Sequence, residues 1–347
     1  MVTIKDIAGE SGVSVTTVSM VLNDGPSAQR ISEKTRKRIR KIASDLGYRP
    51  NLFARSLRSN RSHTLGVVVF DITDPYCTQI LRGIESHLRP SGYFPILADL
   101  QNDRAQFRPS LDMLLGRRVE GIVAIANPVY LDTKLFSEFA RRSLPAVVIG
   151  RELKGTSISS VAVDNEAGTR QVMRHLYELG HSKIAFLKGP KAMADSAQRW
   201  RGLERFADEI GLNLNHRLVL EIQGRNSTYA EGYHLTEELL KLGLEFTALV
   251  AFDDLTACAA IGALSKAGRQ VPRDCSVVGF DDIPSSAFYN PPLTTVHQQL
   301  EMQGLLGAEI VEELMRAAVE KRTVTPRHRI VAPKLIVRGS TCPAPCS

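Results

Sequence analysis

Residues Ile4–Asn23 read IKDIAGESGVSVTTVSMVLN, and the fold of the N-terminal part of the chain turns on them. Thr3 and Asp6 stand at the spacing of a capping box, in which a hydroxyl accepts the backbone N–H three residues on and an acidic side chain reaches back. They start a helix at Ile4 that carries Ile7 and Ala8 and ends near Gly12. Ser14 caps a second helix over about 15–23, whose apolar residues Val15, Val18 and Leu22 recur at helical spacing and are expected to face inward. Ala8, Gly12 and Val18 give the pattern of a helix-turn-helix: small where the helices touch, glycine in the turn, apolar in the second helix. In that motif the second helix enters the major groove of DNA. Its outward face is Thr16, Thr17, Met20 and Asn23, and no residue from Val13 to Asn23 is charged.

The positive charge lies beside this helix. Residues 1–63 hold 12 Lys/Arg against 5 Asp/Glu, while the rest of the chain holds 32 of each, so the whole excess of +7 sits in the first fifth. A small basic module joined to a neutral body is the charge pattern of a nucleic-acid binder with a second function. Much of the excess falls on a third helix, capped by Ser32, with Ile39, Ile42, Ala43 and Leu46 at helical spacing and Gly47 at its end. Its Lys34, Arg36, Lys37, Arg38, Arg40 and Lys41 serve either to hold phosphates or simply to keep the surface solvated. Tyr48 leads into a segment from Asn51 to Arg58 that is too short to be a stable helix alone. Ordered on DNA, it would carry Leu57 as a minor-groove wedge between Arg55 and Arg58. A polar linker, SNRSHT, follows.

From residue 64 onward the pattern changes. Short apolar runs are expected as strands at 64–70, 94–100, 120–126, 145–150, 160–164, 183–187, 248–252 and 276–280. Helical patterns such as 166–180 and 255–267 lie between them. Regular alternation means parallel sheets with crossover helices, and 347 residues leave room for two such sheets. Ligands bind such folds beyond the C-terminal ends of the strands. The polar residues there are Asp71, Tyr76, Asn127, Arg151, Arg199, the pair Asp253 and Asp254, and the pair Asp281 and Asp282. Carboxylates accept paired hydrogen bonds, arginine donates in a fork, and an aromatic ring covers an apolar sugar face, so the set suits a hydroxyl-rich ligand.

Other classes fit poorly. There is no GxGxxG, Walker A, HExxH or GxSxG motif to support an enzyme or a bound cofactor, although the two Asp pairs could mimic acid–base carboxylates. A transport solute-binding protein would need an export signal, and MVTIKDIAGE has no apolar core or cleavage site, so a cytoplasmic protein is expected. No apolar run approaches the length of a membrane span. Five scattered cysteines argue against a disulfide framework or a zinc module; Cys342 and Cys346 are expected in a disordered tail rather than in a metal site or disulfide.

The stretches IKDIAGESGVSVTTVSMVLN, SEKTRKRI, LGYRPNLFARSLRS, LGVVVFDITDPYC, GRRVEGIVAIA, VDNEAGTRQVMRHLYELGHSKIAFLKGP, FDDLTACAAIGAL and VPRDCSVVGFDDIPSSAFYNPPLTTVHQ occur in order. Together they resemble the lactose/galactose-repressor family of bacterial transcription regulators from residue 3 to about 340. The resemblance implies a homodimer on a pseudo-palindromic double-stranded operator, with a small-molecule effector controlling affinity. It implies an all-α helix-turn-helix domain over 1–49, a hinge over 50–63, and a two-subdomain, periplasmic-binding-protein-like α/β body over 64–341, with a tail from 342. The subdomains are expected at 64–163 with 294–323 and at 165–291 with 326–341, with crossings near 163–166, 291–295 and 322–327. The DNA-contacting set is then Thr3, Ser14, Thr16, Thr17, Met20, Asn23, Tyr48, Arg55, Leu57 and Arg58. Effector contacts are implied at Tyr76, Arg151, Arg199, Asp253 and Asp281. Asp71, Asn127 and the floor residue Gln298 complete the set, while Asp254 and Asp282 are expected as helix caps. The effector expected is a sugar or sugar derivative, although nucleobases also serve the family. Three departures stand out: Met20 where many members carry arginine, Cys77 in place of an aromatic, and a loop from Asp24 to Arg30 about three residues longer than usual.

Overall fold

The computed structural model describes residues 2–22, 26–48, 61–125, 144–224 and 227–345. The chain divides into two compact units, Met1–Ser62 and His63–Ser347.

The described residues of the first unit form three α-helices: α1 (Ile4–Ser11), α2 (Val15–Leu22) and α3 (Glu33–Asp45). The capping box forms: the Asp6 N–H donates to Thr3 Oγ1 (3.4 Å) and the Thr3 N–H to Asp6 Oδ2 (2.7 Å). Gly12 ends α1 in the left-handed conformation (φ 63°), where a side chain would be strained. Ser14 accepts the Thr17 N–H (3.1 Å) and Ser32 accepts that of Thr35 (3.2 Å), starting α2 and α3. Ile7, Ala8, Val18, Val21, Ile39 and Ala43 are buried together. This corrects two expectations. Val15 stands 44% exposed and its inward place is taken by Val21, because the helices touch on a stripe one position round from the one read off the spacing. Leu46 is also exposed, since α3 has already ended at Asp45.

The second unit holds two parallel sheets. The larger has the order β11-β5-β4-β3-β1-β2, with β1 (Thr64–Val69), β2 (Phe94–Asp99), β3 (Gly121–Ile125), β4 (Ala146–Ile149), β5 (Ser159–Val163) and β11 (His328–Val331). The smaller has the order β7-β6-β8-β9, with β6 (Ile184–Lys188), β7 (Val219–Glu221), β8 (Ala248–Ala251) and β9 (Ser276–Val278). Strands β1, β3, β4 and β5 are buried with no alternation between faces because helices cover both sides of the sheet. Two of the covering helices, α4 (Pro75–Ser91) and α10 (Leu300–Val319), cross at Gly83 and Gly304. A Cβ on Gly83 would overlap the Glu301 carbonyl, and one on Gly304 that of Ile80, so these two glycines set the distance between the helices.

A two-stranded antiparallel ribbon, β10 (Thr295–His297) with β12 (Lys334–Ile336), lies beside the smaller sheet, where Thr294 bridges to Val278 and His297 to Asp281. The chain therefore passes between the halves at Asp164, at Gln298–Gln299 and at Ala332–Pro333. The last two positions fall later than the expected 291–295 and 322–327. Asn290-Pro291-Pro292 turns within the second half, where Pro292 O accepts the Gly339 N–H (2.9 Å). His328–Val331, expected in the second half, pairs with β5 in the first. The tail is also corrected. Cys342 N–H donates to Ser276 Oγ (3.0 Å) and Ala344 N–H to Leu179 O (2.8 Å), so residues 342–345 are held rather than disordered. Cys346 lies outside the described residues, as do Asn23, Arg55, Leu57, Arg58 and Asn127. No helix among the described residues is long and apolar enough to cross a membrane.

Candidate effector cleft and DNA-reading surface

Five of the expected effector residues line one cavity of about 460 Å³ in the second unit: Asp71, Tyr76, Arg199, Asp253 and Asp281. Local structure places each. Asp71 follows β1 and Tyr76 lies in the first turn of α4, so both belong to the half with the larger sheet. Arg199 lies on α7 (Ala194–Ile210), while Asp253 follows β8 and caps α9 (Asp254–Lys266), so both belong to the other half.

Arg199 organises the second wall. It is 9% exposed and lies between the rings of Phe280 (3.7 Å) and Phe252 (4.6 Å). Its Nε donates to Asn165 Oδ1 (2.9 Å) and Nη1 donates to the Phe252 carbonyl, while Nη2 stands 3.8 Å from Asp281 Oδ1. A guanidinium fixed this firmly presents one defined direction to a ligand. Asp281 also accepts from the Gln298 side chain. Asp281 (φ 131°) and Asp282 (φ 57°) both adopt backbone conformations unfavourable for residues with a side chain, at a cost of about 1–3 kcal/mol each. The Val296 carbonyl pins the Asp281 N–H (2.9 Å) and keeps the carboxylate aimed at the cleft. Burial pushes the Asp281 carboxyl well above the usual range, and Arg199 draws it partly back.

The remaining expectations divide. Asp71 is committed locally: its carboxylate accepts the Thr73 N–H (2.8 Å), the Thr73 hydroxyl (2.6 Å) and the Asn102 amide (2.6 Å). Gln298 is buried behind Asp281 rather than on the cavity wall. Arg151 is also off the wall; burial raises the Asp195 carboxyl, and Arg199 and then Arg151 draw it partly back. The two Asp pairs separate into roles. Asp253, not Asp254, is the cap: Oδ1 accepts the Thr256 N–H (2.8 Å) and Oδ2 the Ser227 hydroxyl. Asp254 is fully buried and accepts from Ile283 N–H (2.9 Å) and from the Ser286 and Thr295 hydroxyls; burial raises its carboxyl to about 6. Asp282 pairs with Arg338 (2.6 Å) instead of capping a helix.

Sequence reasoning missed several wall residues, among them Asp74, Asn102, Asp195, Ser227 and Tyr229. Asp74-Pro75 carried a readable signal, since an aspartate before a proline commonly opens a helix, and Asp74 does accept the Tyr76 N–H (2.9 Å). Asp195, in the first turn of α7, had no such signal.

In the first unit Thr16 and Met20 are exposed on α2 and Thr17 is half-buried, its hydroxyl 2.9 Å from that of Ser14. The Thr3 and Ser14 hydroxyls are taken up in the caps described above, and Tyr48 packs against the three-helix core. Lys34, Lys37, Arg38, Arg40 and Lys41 are exposed, Arg36 is half-buried, and Lys37 meets Glu33 at 2.8 Å.

Residues 3–51 match the family described as bacterial regulatory proteins, lacI family, and residues 173–341 match the periplasmic binding protein-like domain. The chain is 33% identical over 345 residues to the HTH-type transcriptional repressor PurR of Haemophilus influenzae (strain PittEE), covering 98% of each chain. Among solved structures it resembles the Lac repressor dimer bound to operator and the anti-inducer ONPF (27% identity, TM-score 0.85, 98% of this chain and 99% of that one). It also resembles the transcriptional regulator CelR in complex with cellobiose (28% identity, TM-score 0.72, 98% and 100%). Helix-turn-helix unit, two-sheet body and similarity over nearly the whole length agree: this chain belongs to the lacI family of bacterial regulatory proteins.

Proposed function

We propose that this protein is a transcriptional repressor that binds a pseudo-palindromic operator as a homodimer and is controlled by a small, sugar-like effector. The observation that carries the proposal is the meeting of Tyr76 and Asp71 from one half of the body with Arg199, Asp253 and Asp281 from the other, around one cavity. A ligand touching both halves favours one angle between them, and so biases a two-state element. Residues 49–60 would pass that bias to the DNA-binding unit, with Leu57 as the minor-groove wedge. Two related proteins support the effector class, one solved with cellobiose and one with the anti-inducer ONPF. The affinity for DNA comes from the basic residues of the first 63 positions, which leaves α2 to select bases through Thr16, Thr17 and Met20.

The test uses the full-length protein. Duplexes selected from a randomised pool should converge on a two-fold symmetric sequence. Titration of sugars and nucleobases against that complex should then find a compound that changes operator affinity. Binding without sequence enrichment would refute the operator reading, and turnover of any added sugar would favour an enzyme.

A further inference from the structure

We propose that the cleft is built for an effector that carries a positively charged nitrogen among its hydroxyls, an amino sugar rather than a neutral one, with its ammonium group against Asp74 and facing Asp253. This rests on the effector reading of the cleft given above.

The cavity wall carries five carboxylates, Asp71, Asp74, Asp195, Asp253 and Asp281, and among the described residues Arg199 is its one cation. Most of these groups are already engaged. Arg199 is shared among Asn165, the Phe252 carbonyl and Asp281, and Asp71 is held by Thr73 and Asn102. Asp253 has both oxygens occupied, by the Thr256 N–H and the Ser227 hydroxyl. Asp74 differs. One oxygen accepts the Tyr76 N–H at 2.9 Å, and among the described residues the group forms no ion pair. Among the described residues the charges that act on it are of its own sign: Asp253 across the cleft and Asp71 on its own half. Burial and these two neighbours push the Asp74 carboxyl up to about 7, so a proton partly does there what a ligand cation would do.

A neutral sugar bound here would cover Asp74 and exclude the water that solvates it, without supplying the missing charge. An ammonium supplies the charge and three donors, and joins Asp74 of one half to Asp253 of the other. A metal ion is the poorer candidate, because no three carboxylate, histidine or cysteine groups among the described residues converge on one point. The cation must therefore be part of a larger molecule. The ring of Tyr76 and the polar groups of Asn102, Ser227 and Thr228 on the same wall suit a hydroxylated ring attached to it.

The test is calorimetry and thermal shift on the full-length protein at pH 7 with matched probes: glucosamine against glucose, galactosamine against galactose, and the N-acetylated form of each amine. We expect an amino sugar to bind at least about tenfold more tightly than its neutral parent, as one desolvated charge-assisted hydrogen bond allows, and N-acetylation to erase the difference. Asp74→Asn keeps a good helix cap, so it should fold, and it should abolish the preference for the amine. Without ligand at pH 8, the same substitution should raise the melting temperature by about 2 °C by removing a repelled charge. Neutral parents binding as tightly as the amines, a preference that survives Asp74→Asn, or a lower melting temperature would each overturn the proposal. If neutral sugars win but still shift operator affinity, the effector reading stands and the charge assignment falls. If amines win but leave operator affinity unmoved, the reverse holds.

Discussion

Replacing Arg199 by methionine tests the second wall of the cleft most directly. Methionine keeps an unbranched apolar stem of similar reach between the Phe252 and Phe280 rings, so packing is largely preserved. What disappears is the Nε–H bond to Asn165 (2.9 Å), the Nη1–H bond to the Phe252 carbonyl, and the charge 3.8 Å from Asp281. Breaking a buried ion pair by removing one member costs about 3–5 kcal/mol. Asp281 limits that cost by taking up a proton, because burial already raises its carboxyl well above the ordinary range. The carbonyl of Phe252 and the amide of Asn165 have no such escape, and an unsatisfied buried group costs about 1–3 kcal/mol. The expected net loss is therefore about 2–4 kcal/mol, dominated by the two stranded acceptors and not by the ion pair. Urea unfolding followed by the fluorescence of Trp200, the only tryptophan and the next residue along, reads the loss as a lower midpoint at unchanged slope. Operator affinity in the absence of ligand should persist while the effector response is lost. Adding Asp281→Asn should restore little stability, since burial, with no arginine left to oppose it, favours the protonated aspartate in the single variant. A variant as stable as the parent that responds normally to effector would refute this account of the wall. A double variant that recovers most of the loss would show that the ion pair dominates after all.

Three further outcomes are expected. The Asp74 carboxyl lies at about 7 in the folded chain against 3.8 ordinarily, so the folded state holds its proton where the unfolded chain has lost it. Its contribution is complete below about pH 4 and disappears as the pH rises through about 7; the stability of the parent relative to Asp74→Asn should fall over that window and level off above it, whereas parallel pH profiles would count against the shift. Gly83→Ala should destabilise the protein by about 3 kcal/mol or more, because its Cβ meets the Glu301 backbone and not a movable side chain; a melting temperature equal to the parent's would mean the helices can separate there. Met20→Arg should redirect operator selection toward guanine at one position per half-site, since arginine reads guanine through two hydrogen bonds; an unchanged selected sequence would show that position 20 does not face the bases.

Where structure depends on neighbours a few residues away, the sequence by itself was sufficient. The Thr3–Asp6 box, the Ser14 and Ser32 caps and the Gly12 and Gly47 stops all rest on bonds or backbone angles spanning three or four residues. The eight strands expected from apolar runs and their alternation with helices were equally legible, because burial on both faces of the central strands demands runs dense in Val, Ile and Ala. The places of Tyr76, Asp253 and Asp281 on one cavity wall were legible from the strand ends of such a fold and from the family likeness, and that of Arg199, which lies on a helix, from the likeness. The short edge pieces were not legible. His328–Val331 exposes two of its four residues and Lys334–Ile336 has only three, so neither carries a periodic signal, and each strand exists because a partner more than thirty residues away accepts it.

The tertiary structure alone decided how each polar group is used. Nothing in Asp253-Asp254 says that the first caps a helix at the cleft and the second is sealed beneath it, bonded to residues 283, 286 and 295. Nothing near Cys342 says that its backbone closes against Ser276. Val15 and Val21 are chemically alike, and only the approach of α3 buries one and leaves the other in water. The physical division is one of range. Caps and periodicity are properties of a few bonded neighbours, whereas the desolvation and like charge around Asp74 arise from side chains that only the packing of the two halves brings together.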